Sequence, residues 1–188
     1  MQRRHWVLVC VALAVGGCSP AAEGPKQSAA AVNGCPAHAA AVWRAGENAF
    51  AVIGDTTGAD CAHATATLSI RDGSQAVVYT ASAPVADLMT LSSAKDAAAM
   101  QTALVQWIDP ATAASTTNDL PEWSANAENP IRGEFPFYPE ERIDRAVYSG
   151  IRAADAPMYC YVQGMESQAC IAWTNGQMTK LGVQTFPG

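Results

Sequence analysis

The side chains best suited to chemistry begin with Cys35-Pro36-Ala37-His38 and Cys61-Ala62-His63, two sulfurs and two imidazoles that could close a tetrahedral metal site. The Cys-x-His spacing is tighter than common zinc patterns, and thiolates in an oxidising compartment usually end as a disulfide, so neither a metal nor any other cofactor is expected. Ser92-Ser93-Ala94-Lys95 places two hydroxyls close to an amine, the makings of a serine nucleophile with a lysine base. His38 and His63 also have many Asp and Ser residues to draw on for a Ser-His-Asp arrangement. No Gly-x-Ser-x-Gly elbow and no phosphate-cradling glycine loop occurs, however. Glu140, Glu141 and Asp144 read as the solvated end of a helix, because a glycosidase pair would need one of its carboxyls desolvated. The remaining candidate is aromatic. Trp123 and the run Phe135-Pro136-Phe137-Tyr138-Pro139 lie in or beside a long polar stretch. Such rings could present a binding surface or fold back to close the core, and Trp123, Phe135, Phe137 and Tyr138 are taken as the candidate contact surface.

The elements that must position these residues follow from periodicity. Ala40–Arg44 and Ala49–Ile53 suit short strands split by Gly46-Glu47-Asn48. Ala64, Ala66, Leu68 and Ile70 alternate with polar residues, Asp72-Gly73 marks a hairpin turn, and Gln75–Ser82 alternates again until Pro84. Ser93 to Ile108 reads as a helix with a capping-box-like start at Ser93 and Asp96. Ala97, Met100, Leu104, Trp107 and Ile108 share one face of it, and Asp109-Pro110 stops it. Residues 111–138 read as a long loop, of a kind that is often functional. Pro139 suits the first position of a second helix that closes at Gly150, with Ile143 and Val147 facing the core. Met158–Gln163, Gln168–Thr174 and Gln177–Thr185 are three closing strands, the last two joined by Asn175-Gly176. The fold class is α+β, a mostly antiparallel sheet with two helices.

Two family resemblances bear on this pattern. Ser92-Ser93-Ala94-Lys95 resembles the Ser-x-x-Lys motif of penicillin-recognising serine enzymes. Ser124-Ala125-Asn126 and Lys180-Leu181-Gly182 follow in the order of that family's other two motifs. The family needs a much larger domain and prefers a hydroxyl residue where Leu181 stands. Ser92 and Ser93 are therefore expected to cap a helix, and the protein is expected not to be an enzyme.

The second resemblance lies at the start of the chain. Arg3 and Arg4 precede an apolar run, Trp6 to Val15, and Val15-Gly16-Gly17-Cys18 resembles the lipobox of bacterial lipoprotein precursors. The resemblance implies cleavage after Gly17 and acylation of Cys18. Ser19 after the cysteine implies sorting to the outer membrane, with the domain facing the periplasm. Acyl chains contribute roughly 0.8 kcal/mol per buried CH₂, so a lipidated Cys18 would hold the protein on the bilayer. Residues 18–33 read as a flexible tether and 34–188 as one folded domain. With Cys10 removed alongside the signal, Cys35, Cys61, Cys160 and Cys170 remain, an even number that reads as two disulfides. Four cysteines allow three connectivities. Cys160 and Cys170 flank Gly164-Met165-Glu166-Ser167 as facing residues of a hairpin would, which leaves Cys35 with Cys61.

Charge narrows the partners. The 188 residues carry 11 Lys+Arg against 17 Asp+Glu, and loss of Arg3 and Arg4 would leave 9 against 17. An acidic chain without basic clusters excludes nucleic acid, which needs cations to displace counterions from phosphates. The expectation is a lipid-anchored envelope module that binds membrane lipid through acylated Cys18 and, through its domain, another envelope protein or cell-wall glycan. The alternatives are an envelope enzyme inhibitor of the lysozyme-inhibitor kind, a serine hydrolase using Ser92 or Ser93 with Lys95, and a purely structural envelope component.

Overall fold

The computed structural model describes residues 34–186; the lipobox-like segment, Cys18 and the tether lie outside the described residues. β1 (Ala37–Ala45) and β2 (Asn48–Thr57) form a hairpin around Gly46, whose φ of 63° suits a two-residue turn. β3 (Thr65–Arg71) and β4 (Val77–Pro84) extend it into an antiparallel meander in the order β1-β2-β3-β4. A 3-10 turn (Val85–Asp87) leads to α1 (Ala97–Trp107), α2 (Pro110–Ala113, a single turn), β5 (Ala114–Thr116) and a second 3-10 turn (Thr117–Asp119). β6 (Ile131–Arg132), β7 (Phe135–Pro139), α3 (Arg145–Ala153), β8 (Pro157–Val162), β9 (Ser167–Thr174) and β10 (Gln177–Thr185) complete the chain. The second sheet is also antiparallel and runs β5-β8-β9-β10-β7-β6. The fold is thus α+β as expected, with both expected disulfides, Cys35–Cys61 and Cys160–Cys170, formed.

Alternation on β8 and β9 divides the interior in two. Tyr159, Tyr161, Ala169 and Ile171 point toward the four-stranded sheet and pack with Trp43, Phe50, Val52, Leu68 and Ile70. The buried face of α1, carried by Met100, Leu104 and Trp107, completes this larger core. Gly54 on β2 lets α1 approach: a Cβ there would stand 3.0 Å from Ile108 and 3.3 Å from Leu104. The opposite face of the six-stranded sheet carries Met158, Cys170, Ala172 and Leu181, which pack with Leu120, Phe137 and Tyr148.

Three expectations are corrected. The first helix starts at Ala97, not Ser93, because the Asp96 carboxylate accepts the Ala99 N–H at 2.8 Å and caps it. The second helix does not begin at Pro139. Residues 135–139 form β7, with Phe137–Pro139 paired to β10, Phe135 and Pro136 to β6, and Phe137 buried; the helix starts at Arg145 behind Asp144, which caps the Val147 N–H at 2.8 Å. Gly150 therefore lies inside α3, Val147 faces solvent, and Tyr148 is the buried residue. The 111–138 stretch is also not structureless. Arg145 donates to the Ser124 and Ala127 carbonyls, Tyr148 to Pro121 at 2.8 Å, and Arg152 to Leu120 at 2.9 Å. α3 thus satisfies backbone acceptors that a ladder would otherwise take up.

Candidate functional site

The sequence-flagged residues part company in the folded chain. Both sulfurs of the Cys-His windows are joined in Cys35–Cys61, leaving no thiolate for a metal. His38 pairs instead with Asp55 at 2.7 Å, and His63 with Asp60 at 2.9 Å. The hydrogen bond from His63 holds the Asp60 carboxyl below the usual carboxylate range. Among the described residues, no group of three or more His, Cys, Asp or Glu side chains gathers as a metal site.

Ser92 and Lys95 do share a surface depression with Asp60 and His63. It is shallow and wet: the His63 side chain is 82% exposed and that of Asp60 55%. The Ser92 hydroxyl donates to the Met89 carbonyl at 3.4 Å, not to an imidazole or an amine. Lys180 of the third motif is held by Glu140 at 2.8 Å on β10, away from this depression. Glu140 is thereby an ion-pair partner and Asp144 a helix cap.

The aromatic set divides by burial. Phe137 is fully buried. Trp123 is half-buried, edge-on to Tyr148 at 5.4 Å with the Arg145 guanidinium 5.0 Å above its ring. Phe135 is half-buried as well. Tyr138 alone of the four is exposed, at 49%. Phe137 and Trp123 anchor the loop on α3, while Tyr138 is free to meet a partner.

A deeper site lies on the face of the six-stranded sheet that turns away from the four-stranded one. A cavity of about 290 Å³ there takes its lining from every strand of that sheet. Ser115 comes from β5, Met158 and Cys160 from β8, Gln168 and Cys170 from β9, Gln184 from β10, Phe137 from β7 and Arg132 from β6. Six flat strands would put the two edges about 24 Å apart. Yet Arg132 on the β6 edge donates to the Asp119 carbonyl just beyond β5. The sheet is therefore coiled until its edges nearly meet. α3 and the 117–121 segment fill one part of the hollow, and the cavity occupies the rest.

A bulge in β10 supplies the cavity's buried polar group. Lys180 pairs with Ile171, but Gly182 pairs with Cys170, so Leu181 is an extra residue on its strand. Without it Gln184 would share the face of Met178, toward the larger core; with it, Gln184 faces the cavity beside Cys170. Gly182 makes the bulge possible, since a Cβ there would lie 2.3 Å from the Tyr138 carbonyl oxygen. Gln184 is 6% exposed, and its Nε2 donates to the carbonyls of Phe135 at 3.0 Å, Pro136 at 3.2 Å and Thr185 at 3.0 Å. Three acceptors around one end fix which end of the amide is nitrogen. Oε1 is left buried without a hydrogen-bond donor, the one such side-chain atom among the described residues. At the mouth, Arg132 has no carboxylate within ion-pair distance among the described residues, and Asp119 accepts the Thr116 N–H at 3.1 Å.

No family model, no curated protein and no solved structure matches this chain. Its reading therefore rests on its own geometry. Sequence reasoning missed Gln184 and Arg132, since neither type signals a site. The isolated Gly182 within a strand pattern was the available sign of a bulge.

Proposed function

We propose that the protein is a lipid-anchored cell-envelope lipoprotein whose domain is a non-catalytic binding module. The observation that carries the binding role is the cavity itself, about 290 Å³, lined from all six strands of one sheet, with the exposed Arg132 and Asp119 at its edge and Phe137, Met158 and Leu120 among its apolar lining. The anchor rests on Val15-Gly16-Gly17-Cys18. Two disulfides accord with an oxidising envelope compartment, and Tyr138 adds an exposed aromatic that a partner could use. The test is metabolic labelling with an alkyne fatty acid. Label on the wild type that disappears in Cys18→Ala is the expected result; an unlabelled wild type in the membrane-free fraction overturns the anchor.

A serine hydrolase is the second reading, favoured by one observation. Asp60, His63, Ser92 and Lys95 line the same depression, with His63 already on its carboxylate. A fluorophosphonate probe that labels the wild type but not Ser92→Ala would establish it, and absence of label would remove it.

A further inference from the structure

We infer that the outer edge of β4 is a docking site where a partner protein adds one short antiparallel strand and seats a small apolar side chain between the two sheets. This surface is separate from the 290 Å³ cavity, and the inference stands whether or not that cavity or the anchor is used. Among the described residues, the other three sheet edges are blunted. β5 and β6 are only three and two residues long. β1 is covered by α1, whose Gln101 accepts the His38 N–H at 3.2 Å and donates to the His38 carbonyl at 2.7 Å. β4 has eight residues and no charge among them. A bulge at its start and Pro84 at its end confine the open stretch to residues 79–83.

The register identifies the free backbone groups. The Val85 N–H donates to the Ala64 carbonyl at 2.8 Å with Thr65 opposite Pro84, so Ala83, Ala81 and Tyr79 turn their N–H and C=O groups toward β3. Those of Thr80 and Ser82 point away from the sheet, both residues are exposed, and neither has another backbone partner among the described residues. Donors and acceptors repeating at alternate residues match an extended backbone. The space beside them sets the side chain. Ala81 and Ala83 face the larger core, and their small size leaves a pocket of about 100 Å³ walled by Leu88, Trp107 and Tyr161. The polar atoms of both rings are committed: Trp107 Nε1 donates to the Val162 carbonyl at 2.7 Å, and the hydroxyls of Tyr161 and Tyr79 share a hydrogen bond of 2.6 Å. The pocket therefore suits a small branched apolar side chain and not an aromatic or charged one. In a guest strand, the residues paired with Thr80 and Ser82 lie on the solvent face beside those hydroxyls. The residue between them, opposite Ala81, points into the pocket. Five residues span about 17 Å, too short an edge to bury alone the roughly 1,200 Å² of a stable interface between folded chains, which favours a peptide segment over a second copy.

The probe is a blocked peptide of alternating threonine and valine with a lysine at each end, added to the full-length chain in detergent. Fluorescence anisotropy reads its affinity and amide hydrogen exchange reads its place. The expected result is saturable binding, with the Thr80 and Ser82 amides exchanging at least tenfold more slowly when the peptide is bound. That readout needs no variant. Thr80→Pro removes an outward donor at an edge position, where proline is tolerated, and should weaken binding about tenfold. Ala81→Leu fills the pocket from the host side and should weaken it by a similar factor, both variants keeping the native far-ultraviolet spectrum. Aspartate in place of the peptide's valines should remove binding. No saturable binding, unchanged exchange at both amides, or an affinity untouched by Thr80→Pro or by Ala81→Leu overturns the proposal. Slowed exchange that grows with protein concentration in the absence of peptide would assign the edge to a second copy and overturn the peptide as its occupant.

Discussion

Replacing Gln184 by methionine tests whether its buried Oε1 lacks a partner in the folded protein. The side-chain length is conserved, so packing changes little. Three carbonyls lose the Nε2 donor, but the Pro136 carbonyl keeps the Thr185 hydroxyl at 3.0 Å. All three Nε2 hydrogen bonds are lost, about 1 kcal/mol each. In return the donorless Oε1 disappears, which relieves a buried unsatisfied acceptor at about 2 kcal/mol. The two effects cancel to within about 1 kcal/mol, or about 2–4 °C in Tm for a domain of this size. Urea unfolding with an unchanged m-value is the measurement. Gln184→Met should unfold close to the wild-type midpoint. A loss above about 3 kcal/mol would refute the reasoning, because it would mean that Oε1 is already paired in the native protein. Gln184→Glu gives the contrast. A carboxylate oxygen would face the three carbonyls that Nε2 now satisfies, which raises the folded-state pKa of the new carboxyl above its unfolded value near 4.3. That variant should be stable below about pH 4 and lose stability as pH rises through the raised pKa.

Three further outcomes follow from burial and connectivity. Opening the Cys35–Cys61 bridge by paired serine substitution, with its 26-residue separation, should cost about 3.5 kcal/mol on the loop-entropy relation, and opening Cys160–Cys170, with a separation of 10, about 2.7; urea midpoints that rank the other way would reject it. Tyr148, Tyr159 and Tyr161 have their phenol pKa values raised by burial, so their contribution is full below the unfolded value near 10 and is lost as pH climbs above it. Ultraviolet difference titration should show these phenols ionising only together with unfolding, and smooth ionisation of all tyrosines in a folded protein would contradict their placement. Phe137→Ala should destabilise by about 3–5 kcal/mol and Tyr138→Ala by no more than about 0.5, measured by chemical denaturation, because one ring is fully buried and the other half exposed.

What was legible in the sequence was what neighbours along the chain decide. Alternation over Ala64–Ile70 and the Asn175-Gly176 turn, with φ of 52° and 76°, needed no tertiary information. The Cys160–Cys170 bridge joins residues that face each other across one hairpin, as their spacing suggested. Where a distant strand competes, local reading failed: Pro139 suits the first turn of a helix, but β10 recruits residues 137–139 into the sheet before α3 can start. The site failed for a different reason. Reading by reactive type led to Cys, His, Ser and Lys, and the fold uses those residues mainly as bridges, ion pairs and turn groups. The cavity's chemistry comes from ordinary residues placed unusually. Gln184 is a common strand residue until the extra Leu181 turns it to the other face, and Arg132 is a common surface cation until the coiled sheet brings it to Asp119. Ser115 on β5 and Gln184 on β10, three strands apart in that sheet, come to line one cavity only when the sheet between them has curled. No window short enough to read from sequence contains both. The cavity is therefore a property of the coiled sheet, and a substitution that straightened β10 would remove it without touching a residue of the reactive types.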